Sequence, residues 1–419
     1  MEKKTLWTKN YTIIMIATAI GALGNVALSF ALSFFVFDET GSTLASAILF
    51  AIQAVPGVVI PLFVSPVLDR YPRKPFLVFF DGLFAPMYLI AGIWLMKRPF
   101  NYIEYLIASL IFAAIGELDG MSFNALFPKL IPEGMEEKGF TLSSLLYPII
   151  SVIMTPVVSV LYRKVGLPTL LFFQAACSLA ACLIETGIDV EESVVEGTKL
   201  SFRQWWSDIK DTARYLRNEP GLFWQTMYSN YSNGTGTGFE TLWVAFTATT
   251  PGYSPTTYAF CQGATLLCRT IGGILLVRKE TPKEKKFLKT FRIYVTIDIM
   301  DAIMLYLPYP LMLVDRGVVG FCGVQSGNIR NAAFQKYIPD SMRARLSAFD
   351  SVLFLILNSI LTLVIGALGE ILPYRVVTLI FASVSVVLCY FCVWRNRNEI
   401  EKIYLRDYGD GQQTEADGA

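Results

Sequence analysis

Long apolar stretches alternate with short polar turns along this chain, and twelve of the stretches run near 20 residues. They fall roughly at 10–37, 43–67, 75–96, 102–127, 140–161, 168–185, 221–247, 254–277, 288–307, 310–335, 346–368 and 373–394. About 20 apolar residues in a helix cross a hydrocarbon core of about 30 Å. The pattern therefore predicts twelve transmembrane helices. The first stretch follows Met1-Glu2-Lys3-Lys4 and is too long, with no small-residue cleavage site, for a removed signal peptide. It reads as an uncleaved first span.

Lys and Arg concentrate in alternate turns: Lys3, Lys4 and Lys9; Arg70, Arg73 and Lys74; Lys129 and Lys138; the 199–217 and 278–289 clusters; Arg343 and Arg345; and the tail. The opposite turns carry few, such as Lys97-Arg98, Arg163-Lys164 and Arg375. That bias predicts both termini on the cytoplasmic side. The longest interruption, 186–220, contains a helix-length segment from Ser201 to Arg217. One face of it would carry Phe202, Trp205, Trp206, Ile209, Ala213 and Leu216. Ser201 and Gln204 make a capping-box pattern, and Pro220-Gly221 ends the segment. It reads as a surface helix with its tryptophans among lipid headgroups. The expected organisation is a bundle at 1–185, a linker at 186–220, a second bundle at 221–395, and a polar, disordered tail at 396–419.

Composition narrows the function. Of 419 residues 54% are hydrophobic and only 16% charged, too few charges to clothe soluble domains of this total length. The net charge of +1 gives no field to recruit nucleic acid. The chain has no histidine. That excludes Ser-His-Asp and Cys-His nucleophiles, His-dependent zinc sites and imidazole relays, and with them most intramembrane enzymes. No Gly-x-x-x-x-Gly-Lys-Ser/Thr phosphate loop occurs, which argues against an ATP-driven pump, and no repeated filter suggests a channel. The seven cysteines sit in apolar runs without CxxC spacing and read as packing residues, with no disulfide framework or metal site indicated.

The chain also repeats itself. Asn124-Ala125-Leu126-Phe127-Pro128-Lys129-Leu130-Ile131-Pro132-Glu133-Gly134-Met135 is echoed 207 residues later by Asn331-Ala332-Ala333-Phe334-Gln335-Lys336-Tyr337-Ile338-Pro339-Asp340-Ser341-Met342. The same spacing relates Gly116 to Gly323, Gly120 to Gly327 and Lys138 to Arg345. The segment closes span four in one copy and span ten in the other. The chain is thus expected to form two six-helix halves in parallel repeat, an arrangement in which secondary transporters place substrate between halves.

After span two the sequence reads Ser65-Pro66-Val67-Leu68-Asp69-Arg70-Tyr71-Pro72-Arg73-Lys74. This resembles the loop signature of the major facilitator superfamily, Gly-x-x-x-Asp-Arg-x-Gly-Arg-Lys, with Ser65 and Pro72 replacing two glycines. Within that superfamily, Ile338-Pro339-Asp340 through Arg345-Leu346-Ser347, Asn124-Ala125 with Pro132-Glu133, and Asn218-Glu219-Pro220-Gly221-Leu222-Phe223 are most similar to the macrolide-efflux-like drug:proton antiporters. Groups that move siderophores or lysophospholipids look alike at this level. The resemblance covers about residues 5–395. It implies an all-α polytopic fold and a monomeric transporter in the plasma membrane, that of a bacterial inner membrane on the short loops and tail. The transporter would exchange a small hydrophobic substrate against a proton gradient without any bound cofactor. It also implies a gating loop in which Asp69 caps span eleven from across the halves, Arg70 and Arg73 pair with carboxylates, Lys74 adds charge, and Asp350 partners Arg73.

An ionisable group at mid-span costs about 2.5–3.5 kcal/mol on insertion scales and so asks for a role. Glu117 and Asp119 lie in span four on different helix faces, Glu240 in span seven, Arg269 in span eight, and Asp298 and Asp301 on one face of span nine. Asp315, Arg316 and Arg330 lie nearer the ends of span ten. Without histidine, protons would travel on carboxyls, and a carboxyl taken out of water favours its neutral, proton-carrying form. Glu117 leads, then Asp119, with salt bridging as the alternative for both. Asp298 and Asp301 read better as structural pairs. Arg269 would neutralise Glu240, bind an anionic substrate, or do both in turn. The run from Tyr228 through Gly234, Gly236 and Gly238 leaves two readings open, a broken helix or a loosely wound start of span seven. Tyr228, Tyr231 and Trp243 would form an aromatic wall for an apolar substrate. Besides drug efflux, transport of one endogenous solute and a non-transporting, receptor-like role stay open.

Overall fold

The computed structural model describes residues 5–68, 72–132, 135–190, 202–278 and 281–405. Asp69 and Arg70 of the expected gating loop lie outside the described residues. The described chain is helical. Backbone N–H and C=O groups inside a bilayer have no water to turn to, so each span must satisfy them within its own helix.

The chain divides into two units, Met1–Leu200 and Ser201–Ala419. The first contains α1 (Lys9–Thr40), α2 (Thr43–Leu68), α3 (Arg73–Lys97), α4 (Tyr102–Leu130) and α5 (Glu136–Glu185). The 50 residues of α5 hold spans five and six of the hydropathy pattern, divided at Gly166 with φ 72° and ψ 172°. Only glycine reaches that backbone region without strain. Helix α1 begins at a Thr8 side-chain cap that accepts from the Tyr11 amide, and ends on Gly41. Within this unit α5 packs on α1 and α3, and α4 packs on α2 and α3.

The second unit contains α6 (Phe202–Asn218), α7 (Pro220–Thr249), α8 (Pro255–Arg278), α9 (Lys283–Ile303), α10 (Tyr309–Tyr337), α11 (Asp340–Ile371), α12 (Tyr374–Leu388) and α13 (Arg397–Leu405). Here α10 packs on α8, α11 on α7, and α12 on α9. Among the described residues nine helical stretches are long and apolar enough to cross a membrane. The other three of the twelve, α7, α9 and α10, have spanning length but carry the glycine-hydroxyl run or several charges. Large apolar side chains such as Ile90, Ile103, Ile153, Leu183 and Ile371 are exposed around the helices, an aggregation hazard in water and the ordinary surface of a protein in lipid.

The sequence repeat is a structural repeat. Helices α4 and α10 both end in extended C-caps, Ile131 and Ile338. Each is followed by a proline whose carbonyl accepts from the amide three residues on, Met135 to Pro132 and Met342 to Pro339, both at 3.0 Å. Each copy anchors a core. In the first unit Phe127 and Ile131 bury with Tyr11, Ile14, Leu77 and Ile188. In the second, Ala333 and Ile338 bury with Tyr228, Phe287, Tyr294 and Leu346.

Three expectations are corrected. The 186–220 interruption is not one linker: Ile188 is buried in the first unit and the Asn10 amide side chain bonds the Asp189 backbone, whereas α6 belongs to the second. On α6 Thr212 and Leu216 are buried while Ala213 is exposed, because the helix turns its 212/216 face to its own unit; the side chains at 202–209, both tryptophans included, lie outside the description. The tail is structured as far as Leu405. Helix α13 buries Ile400, Ile403 and Tyr404 at i, i+3, i+4 spacing against Phe287 and Tyr294. Burying each such side chain contributes about 1.5–3 kcal/mol. Truncation before Arg397 is therefore expected to lower the midpoint of thermal unfolding in detergent clearly; an unchanged midpoint would show that α13 is dispensable.

Candidate functional site

In the first unit, charged side chains converge at the end where α3 begins and α4 and α5 finish. Lys74 donates from Nζ to the Thr186 carbonyl at 3.1 Å and to the Ile188 carbonyl. This gating-loop lysine thus ties the start of α3 to the chain leaving α5. Deeper, Asp81 (α3), Asp119 (α4) and Glu185 (α5) are close enough to interact electrostatically, and Asp119 Oδ1 and Glu185 Oε2 are buried without a hydrogen-bond partner among the described residues. Cys182 donates from Sγ to the Val78 carbonyl at 3.3 Å in the same seam. Glu117 stands apart from this group: half-buried, its Oε2 lies 3.6 Å from where a Cβ on Gly57 of α2 would sit.

In the second unit, Glu240 accepts from the Tyr258 hydroxyl and from Gln262 Nε2 at 3.0 Å, joining α7 to α8. Trp243 packs edge-on against Tyr258 at 4.7 Å between ring centroids. Asp298 accepts from Tyr228 Oη at 3.0 Å and Ser385 Oγ at 2.8 Å, so α9 is tied to α7 and α12. Arg316 bridges Asp301 and Asp315, both at 2.8 Å. Asp350 accepts from Asn230 Nδ2 at 2.8 Å. Beside that contact lies a cavity of about 210 Å³ lined by Ser229, Asn230, Asn233, Arg330, Asn331 and Asp350 among others.

Helical bundles in two units of matching repeat, with large apolar side chains exposed and carboxyls buried, have the features of a polytopic membrane protein. Residues 14–300 match the Major Facilitator Superfamily. The chain belongs to that superfamily. Superfamily membership makes it a polytopic membrane transporter and not an enzyme. No curated protein matches it. Its fold is similar to the crystal structure of the nucleoside transporter NupG, with TM-score 0.66 and 12% identity over 96% of this chain and 100% of that one. It is also similar to a peptide transporter POT variant in complex with alafosfalin, with TM-score 0.72 and 10% identity over 96% and 97%. A third similar structure is a bacterial homologue of the iron transporter ferroportin in the inward-facing state, with TM-score 0.70 and 13% identity over 96% and 100%. Their cargoes differ, and identities this low carry the superfamily fold alone.

Within this superfamily member, several sequence expectations change. Helix α7 is unbroken from Pro220 to Thr249. Its glycines serve contact: a Cβ on Gly234 would stand 3.2 Å from the Asn358 Cα and one on Gly238 2.5 Å from Ile365 Cδ1, so the pair at i, i+4 lets α11 approach. The hydroxyls do not free the backbone either; Thr235 and Thr247 donate back to carbonyls of their own helix. Tyr228 and Trp243 are buried in the second unit, and Tyr231 donates to the Phe381 carbonyl at 3.3 Å. Arg269 is exposed, and Glu240 takes its partners from Tyr258 and Gln262 in its place. Asp301 and Asp298 are held by a cation and by hydroxyls, the structural pairing expected of them.

Asp81 and Glu185 were not legible as a site. Each is alone in its span, and Glu185 ends one, where charge is ordinary. Only the packing of α3 on α5 joins them.

Proposed function

We propose that this transporter exports hydrophobic drugs or related small molecules by alternating access, coupled to proton entry, as its resemblance to the macrolide-efflux-like subgroup implies. One observation carries the coupling: Asp119 Oδ1 and Glu185 Oε2 are buried in a span-forming bundle with no donor facing them among the described residues. In a chain without histidine, such carboxyls are the natural candidates to carry protons. In this reading Glu117, Asp119 and Glu240 are the candidate proton carriers. Arg269, Tyr231 and Trp243 act on substrate as neighbouring spans shift. Asp69, Arg70, Arg73, Lys74 and Asp350 form the gate. The protein works as a monomer in the plasma membrane with both termini cytoplasmic.

A second reading has support of its own. The cavity beside Asp350 is lined by a guanidinium, amides and a carboxylate, a lining suited to the polar end of one endogenous amphiphile.

Proteoliposomes enclosing a pH-sensitive dye, challenged with a panel of hydrophobic compounds, test the proposal. At least one compound is expected to move protons, and Glu117→Gln to reduce that flux. If no compound moves protons and Glu117→Gln changes nothing, the coupling is wrong. Movement of amphiphiles alone would favour the second reading.

A further inference from the structure

Arg330 is half-buried on α10, two turns before that helix ends at Tyr337, or about 10 Å along its axis. It donates to Asn331 Oδ1 across 3.5 Å, the outer limit of a hydrogen bond, and among the described residues no carboxylate is in ion-pair contact with it. Arg316 on the same helix shows the ordinary state of a buried cation, held between two aspartates. A guanidinium inside a span without such a partner calls for an anion from elsewhere.

Asp350 of α11 lines the same cavity of about 210 Å³ as Arg330. It is exposed, which gives a ligand a way in, and it accepts from Asn230 Nδ2 at 2.8 Å. The packing keeps the two charges apart. Helix α11 packs on α7, whereas α10 packs on α8 and α9, so cation and carboxylate reach the cavity from different helix pairs. Ser229 and Asn233 of α7 add neutral polar wall, and Phe334 and Phe354 add apolar wall. Ser229 is 8% exposed, and its Oγ has no hydrogen-bond partner among the described residues. A cavity of about 210 Å³ is smaller than the pockets of about 300–1,000 Å³ that take drug-sized ligands, and matches the volume of roughly seven waters. Along the same helices there is further room: a Cβ on Gly236 of α7, or on Gly323 or Gly327 of α10, would meet nothing within 4 Å.

We propose that this cavity binds a zwitterion, whose oxyanion (carboxylate or phosphate) lies against Arg330 and whose ammonium lies against Asp350. Opposite charges on one small ligand neutralise two protein charges that the fold holds apart, so neither is left desolvated and unpaired when the ligand enters. An amine alone would satisfy Asp350 and leave Arg330 without an acceptor; an acid alone would do the reverse. Selectivity comes from that penalty on half-matched ligands. Ser229 and Asn233 offer hydrogen bonds to the oxyanion, and Phe334 and Phe354 face the apolar remainder. The proposal rests on the second reading above, a polar solute taken at this cavity, and adds which charges the solute carries and which residues read them. Two sources share the chemistry, a free amino acid and the ethanolamine-phosphate head of a lipid.

Equilibrium binding of radiolabelled L-leucine and of radiolabelled lysophosphatidylethanolamine to the full-length protein in non-ionic detergent tests the site. The wild type is expected to bind at least one of them. Leucine alone identifies a free amino acid as the ligand, and the lysolipid alone a lipid headgroup. Isoamylamine and isocaproate each keep one charge of leucine and should compete about tenfold or more weakly than leucine itself. Lysophosphatidylglycerol lacks the ammonium and should fall behind lysophosphatidylethanolamine in the same way. Arg330→Gln and Asp350→Asn should each weaken binding by about tenfold or more, and Glu104→Gln in the first unit should leave it unchanged. Asn233→Leu keeps both charges and fills the cavity, so it should abolish binding while its unfolding midpoint stays near that of the wild type; it guards against misfolding of the charge variants. Binding of neither probe, competition by isoamylamine or isocaproate equal to that of leucine, or full binding in both charge variants overturns the proposal. Uptake into proteoliposomes separates the site from the reading it rests on. A probe that binds but is not moved upholds the site and refutes transport of a polar solute through it. Movement of dodecylamine that Asn233→Leu blocks, with neither probe bound, would keep that reading and overturn the zwitterion.

Discussion

Arg316→Leu is expected to destabilise the second unit by about 3–5 kcal/mol, the cost of leaving buried carboxylates without their cation. Arg316 is 8% exposed and donates from Nη2 to Asp301 Oδ1 and from Nε to Asp315 Oδ2, both at 2.8 Å. Asp315 is 3% exposed, and its Oδ1 already lacks a partner among the described residues. The guanidinium also stands 5.8 Å from the Trp243 ring centroid, which ties the network to α7. Removing the cation strands two acids that water reaches poorly. The damage should be reversible in design: Arg316→Leu combined with Asp301→Asn and Asp315→Asn removes the stranded charge and should recover most of the loss. Denaturant or thermal unfolding in detergent, followed by tryptophan fluorescence, measures both. A single variant within about 1 kcal/mol of wild type would show the network to be as weak as a surface pair.

Gly320→Ala should be comparably harmful, although it adds one methyl group. A Cβ at Gly320 would stand 2.8 Å from the Thr265 carbonyl carbon and closer still to its oxygen. The obstacle is backbone, which has no rotamer to yield. The seam is tight elsewhere too, since a Cβ on Gly272 would lie 2.8 Å from the Phe321 carbonyl oxygen. Helices α8 and α10 would have to move apart, so a loss at or beyond the upper end of about 1–3 kcal/mol is expected. Gly323→Ala is the control three residues on, where a Cβ meets nothing within 4 Å. There the better helix propensity of alanine should leave stability unchanged or raised by up to about 1 kcal/mol. Equal effects at the two positions would contradict this account of the seam.

The twelve spans and the repeat were legible because both are written along the chain. Hydropathy reports each helix separately, and the matched Ile-Pro ends of α4 and α10 need only local geometry. What failed was whatever depends on which helix faces which. Gly234 and Gly238 look like helix breakers until α11 is seen against them. Glu240 seemed to call for Arg269, yet a tyrosine and a glutamine one helix away satisfy it. Ile400, Ile403 and Tyr404 carried a helical period inside a segment whose polarity suggested disorder. Asp119 was found as a buried charge, but its partners Asp81 and Glu185 are 38 and 66 residues away. No spacing rule spans that distance.

The central claim is that buried carboxyls in this superfamily fold couple substrate movement to protons. Its most direct test is the direction of ethidium flux in proteoliposomes when the imposed pH gradient is reversed. The account predicts that ethidium accumulates on the acidic side, that reversing the gradient reverses the flux, and that collapsing the gradient stops accumulation. Accumulation with the same direction and size under all three conditions would contradict it.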